Sequence, residues 1–121
     1  MIAKVLVVDD SMMVRAQVSR VLTEAGFSVT TANDGLDALG KLDADTRLIV
    51  CEVNMPRMNG LEFLEELRVA RKNHVPFVML TTEDQLEMVA RAKAMGANSW
   101  LVKPLEPELL VSTARKLTSS T

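Results

Sequence analysis

The stretch that decides the fold is Lys4-Val5-Leu6-Val7-Val8-Asp9-Asp10-Ser11. After Lys4 the run is continuously apolar and rich in valine, as expected for a strand buried on both faces of a sheet; a half-exposed strand would alternate. Asp9 and Asp10 end the run abruptly, and Ser11 is placed to cap a helix. Val14, Val18, Val21, Leu22 and Ala25 then give that helix one apolar face. Gly26 suits the position just past its end, where a left-handed backbone is favoured.

The same unit of apolar run, polar turn and helical segment recurs four more times. Phe27 to Thr31 is followed by the turn Asn33-Asp34-Gly35 and a short helix marked by Leu36, Leu39 and Leu42. Leu48 to Cys51 ends at Glu52, with a loop containing Met55, Pro56, Asn59 and Gly60 and then a helix through Leu61, Leu64, Glu65 and Leu67. Phe77 to Leu80 ends at Thr81, and Asp84 to Met95 form a helix that Gly96 closes. Trp100 to Val102 leads into Lys103 and Pro104, and Glu108 to Leu117 make the last helix. Ser119, Ser120 and Thr121 are expected to fray. A cis peptide is expected between Lys103 and Pro104, because cis lies only about 0.5–1 kcal/mol above trans before proline. Such alternation implies a parallel sheet with helices on both faces, and right-handed crossovers limit the topologies. The five-unit solution is a doubly wound α/β fold in three layers, flavodoxin-like, with strand order 2-1-3-4-5. The 121 residues leave room for one domain, 1–121.

Composition narrows the function. A formal net charge of -2 argues against general nucleic-acid or anionic-membrane affinity. The tight basic group Arg68, Arg71 and Lys72 is accounted for by a helix C-terminus, which favours cations. No apolar stretch is long enough to cross a bilayer, and Asp9 and Asp10 interrupt the opening run too early for a signal peptide. The single cysteine, Cys51, excludes an internal disulfide and reads as a buried structural thiol, so a reducing, cytoplasmic setting is expected. His74, the one histidine, lacks a nucleophile motif and reads as a loop residue. Most of the methionines read as core filler, with Met12, Met13, Met58 and Met88 expected at the surface.

In open parallel sheets, sites form beyond the carboxyl ends of the strands, near the switch in strand order. The residues at those ends are Asp9 and Asp10, Glu52, Thr81 and Lys103. Three carboxylates, a hydroxyl and an ammonium are thereby expected at one edge. Clustered carboxylates repel, and a hard cation or a basic side chain relieves them. Oxygen ligands suit magnesium, and Lys103 supplies positive charge without a metal.

These same positions carry a resemblance. Asp9-Asp10-Ser11, the loop Asn54-Met55-Pro56-Arg57-Met58-Asn59-Gly60, the segment Leu80-Thr81-Thr82-Glu83, and Gly96 to Pro104 together resemble the receiver domains of two-component response regulators. The match spans essentially the whole chain and is similar to stand-alone receivers of the chemotaxis type. The resemblance implies that Asp10, the residue-52 carboxylate and the Asn54 carbonyl hold Mg2+, with Asp9 acting through bound water. It implies that Lys103 and Thr81 contact a phosphoryl group, that Asn54 and Glu83 tune its lifetime, and that Thr81 and Trp100 carry the signal outward. It implies a sensor histidine kinase and a downstream protein as partners. The partner surface would comprise the fourth helix, fifth strand and fifth helix, on a monomer or weak dimer.

The sequence departs from that pattern at residue 52, where the family carries its phosphate-accepting aspartate and this chain has Glu52. One extra methylene would move the carboxylate outward by about 1.3 Å. Misplacement near 1 Å can cost on the order of a hundredfold in rate. The longer arm also brings negative charge toward Lys103 and Thr81, where a phosphoryl oxygen would lie. Trp100 is larger than the tyrosine or phenylalanine usual at its position. The favoured reading is a signalling pseudo-receiver or phosphomimic that acts by binding partners rather than as an enzyme. A receiver that accepts phosphate is the alternative. A magnesium-dependent phosphatase-like hydrolase using Asp9 is a third reading, which lacks a substrate-covering domain and a second general acid.

Overall fold

The computed structural model describes residues 2–119. Its elements, in chain order, are β1 (Lys4–Val8), α1 (Met12–Glu24), β2 (Ser28–Ala32), α2 (Gly35–Lys41), β3 (Thr46–Cys51), α3 (Gly60–Glu65), β4 (Phe77–Thr81), α4 (Leu86–Ala94), β5 (Ser99–Val102) and α5 (Pro107–Thr118). The strands form one parallel sheet in the order β2-β1-β3-β4-β5, which is the expected topology.

Strand pleating sorts the apolar runs into two cores. From β1, Val5 and Val7 join Val18 and Leu22 of α1 and Leu110 and Ala114 of α5 on one side. Leu6 and Val8 join Ile49, Phe63, Leu64, Phe77 and Met79 on the other. This is why the runs of β1 and β4 are continuous rather than alternating: from Val5 to Val8 and from Phe77 to Thr81 each residue is buried, whichever face it points to. Cys51 is fully buried, so desolvation pushes its thiol well up and leaves it inert, with the nearby negative charges of Glu52 and Asp9 adding to the effect.

Local signals act as expected at most element ends. The Ser11 hydroxyl accepts the Val14 amide and Asn59 makes a reciprocal capping box with Glu62, contacts of a kind typically worth about 1 kcal/mol each. Gly26 and Gly96 take φ values of 98° and 96° past the ends of α1 and α4. The peptide between Lys103 and Pro104 is cis. His74 is exposed. Four expectations shift. The third helix does not continue regularly through Leu67 but widens into a π-helical turn over Glu66–Ala70, closed by the Arg71 amide on the Glu66 carbonyl. The fourth helix starts at Leu86 rather than Asp84, with no side-chain cap at Gln85. Met12 and Met13 are exposed, but Met58 and Met88 are half-buried against the core. Ser119 still donates its amide to the Arg115 carbonyl at 3.0 Å, while Ser120 and Thr121 lie outside the described residues.

One close approach shapes the edge where the strands end. The Gly60 amide donates to the Val53 carbonyl at 2.8 Å, pulling the start of α3 onto the end of β3. A Cβ at Gly60 would lie 2.3 Å from the Glu52 carbonyl oxygen, a backbone atom that cannot swing aside. Gly60→Ala should therefore destabilise the fold by about 1–3 kcal/mol, as overpacking typically does. Urea denaturation measures this, and an unchanged midpoint would contradict the close packing.

Candidate functional site

Each strand delivers its terminal side chain to the same edge. Asp9 follows β1, Glu52 follows β3, Thr81 ends β4 and Lys103 follows β5. Backbone bonds fix these ends: the Glu52 amide donates to the Val8 carbonyl at 2.9 Å, and the Lys103 amide to the Thr81 carbonyl at 2.8 Å. Asp9, Glu52 and Thr81 are buried polar residues, at 3%, 6% and 0% exposure.

The Lys103 ammonium sits between two carboxylates. Its Nζ donates to Glu52 Oε1 at 2.7 Å and to Asp9 Oδ2 at 3.0 Å. The second oxygen of Asp9 accepts the Ser11 amide at 2.9 Å, and Arg15 donates to the Asp9 carbonyl at 2.6 Å. The second oxygen of Glu52 accepts the amides of Val53 at 2.7 Å and Asn54 at 3.2 Å. The glutamate arm thus folds back onto the amide of the next residue. This corrects the expectation of an outward displacement: the extra methylene is taken up by curling, because two amides and an ammonium attract the carboxylate inward.

The three groups titrate differently. Burial pushes the Asp9 carboxyl up, and its bonds to Ser11 and Lys103 offset this only partly. Burial acts the same way on Glu52, but Lys103, the Thr81 hydroxyl and the Asn54 amide outweigh it and hold the carboxyl below its ordinary value. Burial would lower Lys103, yet its bonds to Glu52 and Asp9 raise it.

Asp10 does not join this group. It is exposed and takes no part in the hydrogen bonds linking Asp9, Glu52 and Lys103. The expected cluster of three carboxylates is therefore a pair bridged by Lys103, with Asp10 beside it facing solvent; among the described residues no three acidic, histidine or cysteine side chains stand close enough to hold a metal ion. The donor chemistry nevertheless fits a hard cation. Asp9, Asp10 and Glu52 outnumber the one ammonium of Lys103, and carboxylate oxygens suit such a cation.

From Glu52 a series of hydrogen bonds leads outward. The Asn54 side chain donates to Glu83 Oε1 at 3.0 Å. The Glu83 amide donates to the Thr81 hydroxyl at 3.1 Å, and its carbonyl accepts the Trp100 indole N–H at 2.9 Å. Trp100 is half-buried, its ring packed against the core on the side of α4. Sequence reasoning named Asn54, Glu83, Thr81 and Trp100, but nothing in it indicated these bonds. It also missed Arg15, whose helical spacing reads simply as a solvated face.

A doubly wound parallel sheet with acidic, hydroxyl and lysine side chains at its carboxyl edge is the arrangement of a signalling receiver domain. The chain belongs to the response regulator receiver domain family, whose profile matches residues 5–115. It is 39% identical over 111 residues to the chemotaxis protein CheY1 of Helicobacter pylori, covering 88% of this chain and 90% of that one. It is 37% identical to a CheY homolog of Campylobacter jejuni, covering 88% and 85%. Among solved structures it resembles CheY4 of Vibrio cholerae, at 44% identity and a TM-score of 0.89, covering 97% and 99% of the two chains. It also resembles CheY of Borrelia burgdorferi, solved in complex with CheX, BeF3 and Mg2+, at 25% identity and a TM-score of 0.90, covering 98% and 90%. No helix among the described residues is long and apolar enough to cross a membrane.

The titration pattern has a measurable sign. A raised Lys103 stabilises the fold fully below the ordinary lysine value, and that contribution is lost as pH rises through the higher folded value. A lowered Glu52 stabilises above the ordinary carboxylate value and is lost as pH falls through the folded one, whereas a raised Asp9 opposes folding over the range where it ionises. Lys103→Met should cost about 2 kcal/mol near neutral pH, less than a fully buried pair because the lysine keeps some solvent. It should also lessen the alkaline loss of stability, to which the buried Cys51 thiol contributes the remainder. Urea denaturation across neutral to alkaline pH tests both; an unchanged alkaline slope would show that Lys103 is not among the titrating groups.

Proposed function

We propose that residues 1–121 form one receiver domain working in two-component signalling as a pseudo-receiver, with Glu52 partly imitating a phosphorylated acceptor. The observation that carries this reading is the full engagement of the Glu52 carboxylate. One oxygen is held by Lys103 at 2.7 Å and the other by the amides of Val53 and Asn54. A nucleophile must present a free lone pair along the line of attack, and catalysis of phosphoryl transfer is chiefly positioning and charge stabilisation. Here the lone pairs point at donors that would otherwise serve the incoming group. The first carboxylate oxygen is held by Lys103, one of the groups expected to meet a phosphoryl oxygen, which supports the mimic.

In this reading Mg2+ is held by Asp10, Glu52 and the Asn54 carbonyl, with Asp9 acting through water. When bound it would neutralise charge at the acidic edge; the similar Borrelia CheY was solved in a complex containing Mg2+. Asn54 and Glu83 set phosphoryl lifetime where an acceptor is present, and Thr81 and Trp100 form the switch. The protein acts by binding rather than as an enzyme, in the cytoplasm, as a monomer or weak dimer. Its partners are a sensor histidine kinase and a downstream protein. The downstream protein docks on the face of α4, β5 and α5, where Leu86, Val102 and Leu109 are exposed.

Two outcomes follow. Glu52→Asp should gain a phosphoryl adduct from a small acyl-phosphate donor with magnesium, read by intact mass, while the unmodified chain gains very little. Equal rates on both chains would sink the pseudo-receiver reading, and no adduct on the aspartate variant would remove residue 52 from the acceptor position. Free magnesium in the millimolar range should raise the melting temperature modestly by ligand linkage, and Asp10→Ala should abolish the rise. A flat response in the unmodified chain would mean that Lys103 already satisfies the acidic edge.

A further inference from the structure

The loop that follows Glu52 is fastened at a point remote from Lys103. Arg57 lies midway along it with φ 64°, in the left-handed region that a residue with a Cβ seldom adopts. Its guanidinium makes two bonds to one carboxylate, Nε to Asp34 Oδ2 at 2.6 Å and Nη2 to Asp34 Oδ1 at 3.0 Å. Asp34 is not a surface partner: its side chain is only 4% exposed, and it also caps α2 by accepting the Asp37 amide at 2.9 Å. The arginine bond is the main reason its carboxyl sits below the ordinary range. The adjoining backbone is pinned as well, the Gly35 amide donating to the Met58 carbonyl at 3.0 Å. A Cβ at Gly35 would come within 2.6 Å of the Met58 side chain.

The pin and the site lie on the same loop. Between β3 and α3 the chain is held at Gly60, by its bond to Val53, and at Arg57 and Met58, by α2. Asn54, whose amide serves Glu52 and whose side chain serves Glu83, lies within the same short loop. With both ends of so short a loop fixed, little backbone freedom remains at Asn54. A bidentate arginine–carboxylate pair sets orientation as well as distance, which a single lysine contact would not do. The strained φ is consistent with a conformation held by its surroundings rather than by local preference.

We infer that Arg57 is a positioning residue of the receiver site: paired with buried Asp34, it locks the loop so that the Asn54 amide stays aimed at Glu52 and, in the functional reading above, its carbonyl stays available to a cation. The magnesium part of this inference rests on the functional reading above; the positioning part does not. Arg57→Gly keeps the left-handed φ unstrained while removing the whole side chain with its guanidinium, and the backbone freedom that glycine adds is controlled by the next variant, which leaves residue 57 unchanged. Asp34→Asn removes the same ion pair while keeping a side chain suited to capping α2.

Amide hydrogen exchange followed by NMR decides the matter. In Arg57→Gly the Asn54 amide should exchange faster by about tenfold or more, as expected for local opening of a segment that has lost its anchor. Amides within β3, such as Ile49 and Val50, should keep their native rates, which shows that the variant is folded. Asp34→Asn should reproduce the effect, the two changes together should exceed neither alone, and Arg57→Lys should fall between. A native Asn54 rate in both single variants would overturn the proposal, because a role confined to capping α2 would leave Asn54 untouched. As a second readout, the magnesium concentration giving half the rise in melting temperature should increase about tenfold in Arg57→Gly. If the unmodified chain shows no magnesium response, the metal reading fails and the exchange rates alone decide the positioning role.

Discussion

Two carboxylates buried beside one ammonium are the constraint to which the rest of the site answers. Asp9 and Glu52 arrive from different strands, β1 and β3, and neither can leave the edge of the sheet without breaking the pairing that puts it there. Lys103 reaches them from the end of β5, Glu52 across β4 and Asp9 across β4 and β3. A charge in that position needs its partners, because the surrounding strand ends exclude most water. The ionisation of each group therefore depends on the other two. Glu52 is held charged, Asp9 resists charge, and Lys103 keeps its proton more firmly than a free lysine.

The substitution of glutamate for aspartate acts within that constraint. A longer arm on a surface would extend into water. Here it folds back, since the nearest compensating groups are the amides of Val53 and Asn54 and the ammonium of Lys103. The carboxylate thereby occupies two backbone amides and the ammonium at once. Through Asn54 the same carboxylate is linked to Glu83 and from there to Trp100. Surface and site share an unbroken set of hydrogen bonds, each at 3.2 Å or less.

Much of this was legible in the amino-acid order. The valine-rich run at Lys4 to Val8 could only be a strand covered on both faces, and five such runs separated by helical segments leave few topologies. The strand ends then specified Asp9, Glu52, Thr81 and Lys103 as neighbours, because a parallel sheet collects its carboxyl ends on one edge. Ser11, Gly26 and Gly96 marked their helix ends through capping and left-handed backbone, both local properties. The π-helical turn at Glu66–Ala70 was not visible, because Leu61 and Leu64 precede it and Leu67 is only its second residue, so their apolar spacing reads the same whether the helix stays regular or widens.

What the sequence by itself determined, then, was the sheet, its order and the residues at its edge, since burial pattern and chain direction follow from composition and spacing. Tertiary structure alone decided how those residues share charge. Asp10 and Asp9 are adjacent and chemically identical, yet one faces solvent and the other meets Lys103. Residues 34 and 57 are far apart in sequence, and nothing in either identity announces the other. The inward curl of Glu52 and the fastening of its loop by Arg57 depend on which donors lie within about 3 Å, the reach of a hydrogen bond. That distance is set by packing between elements rather than by any single element.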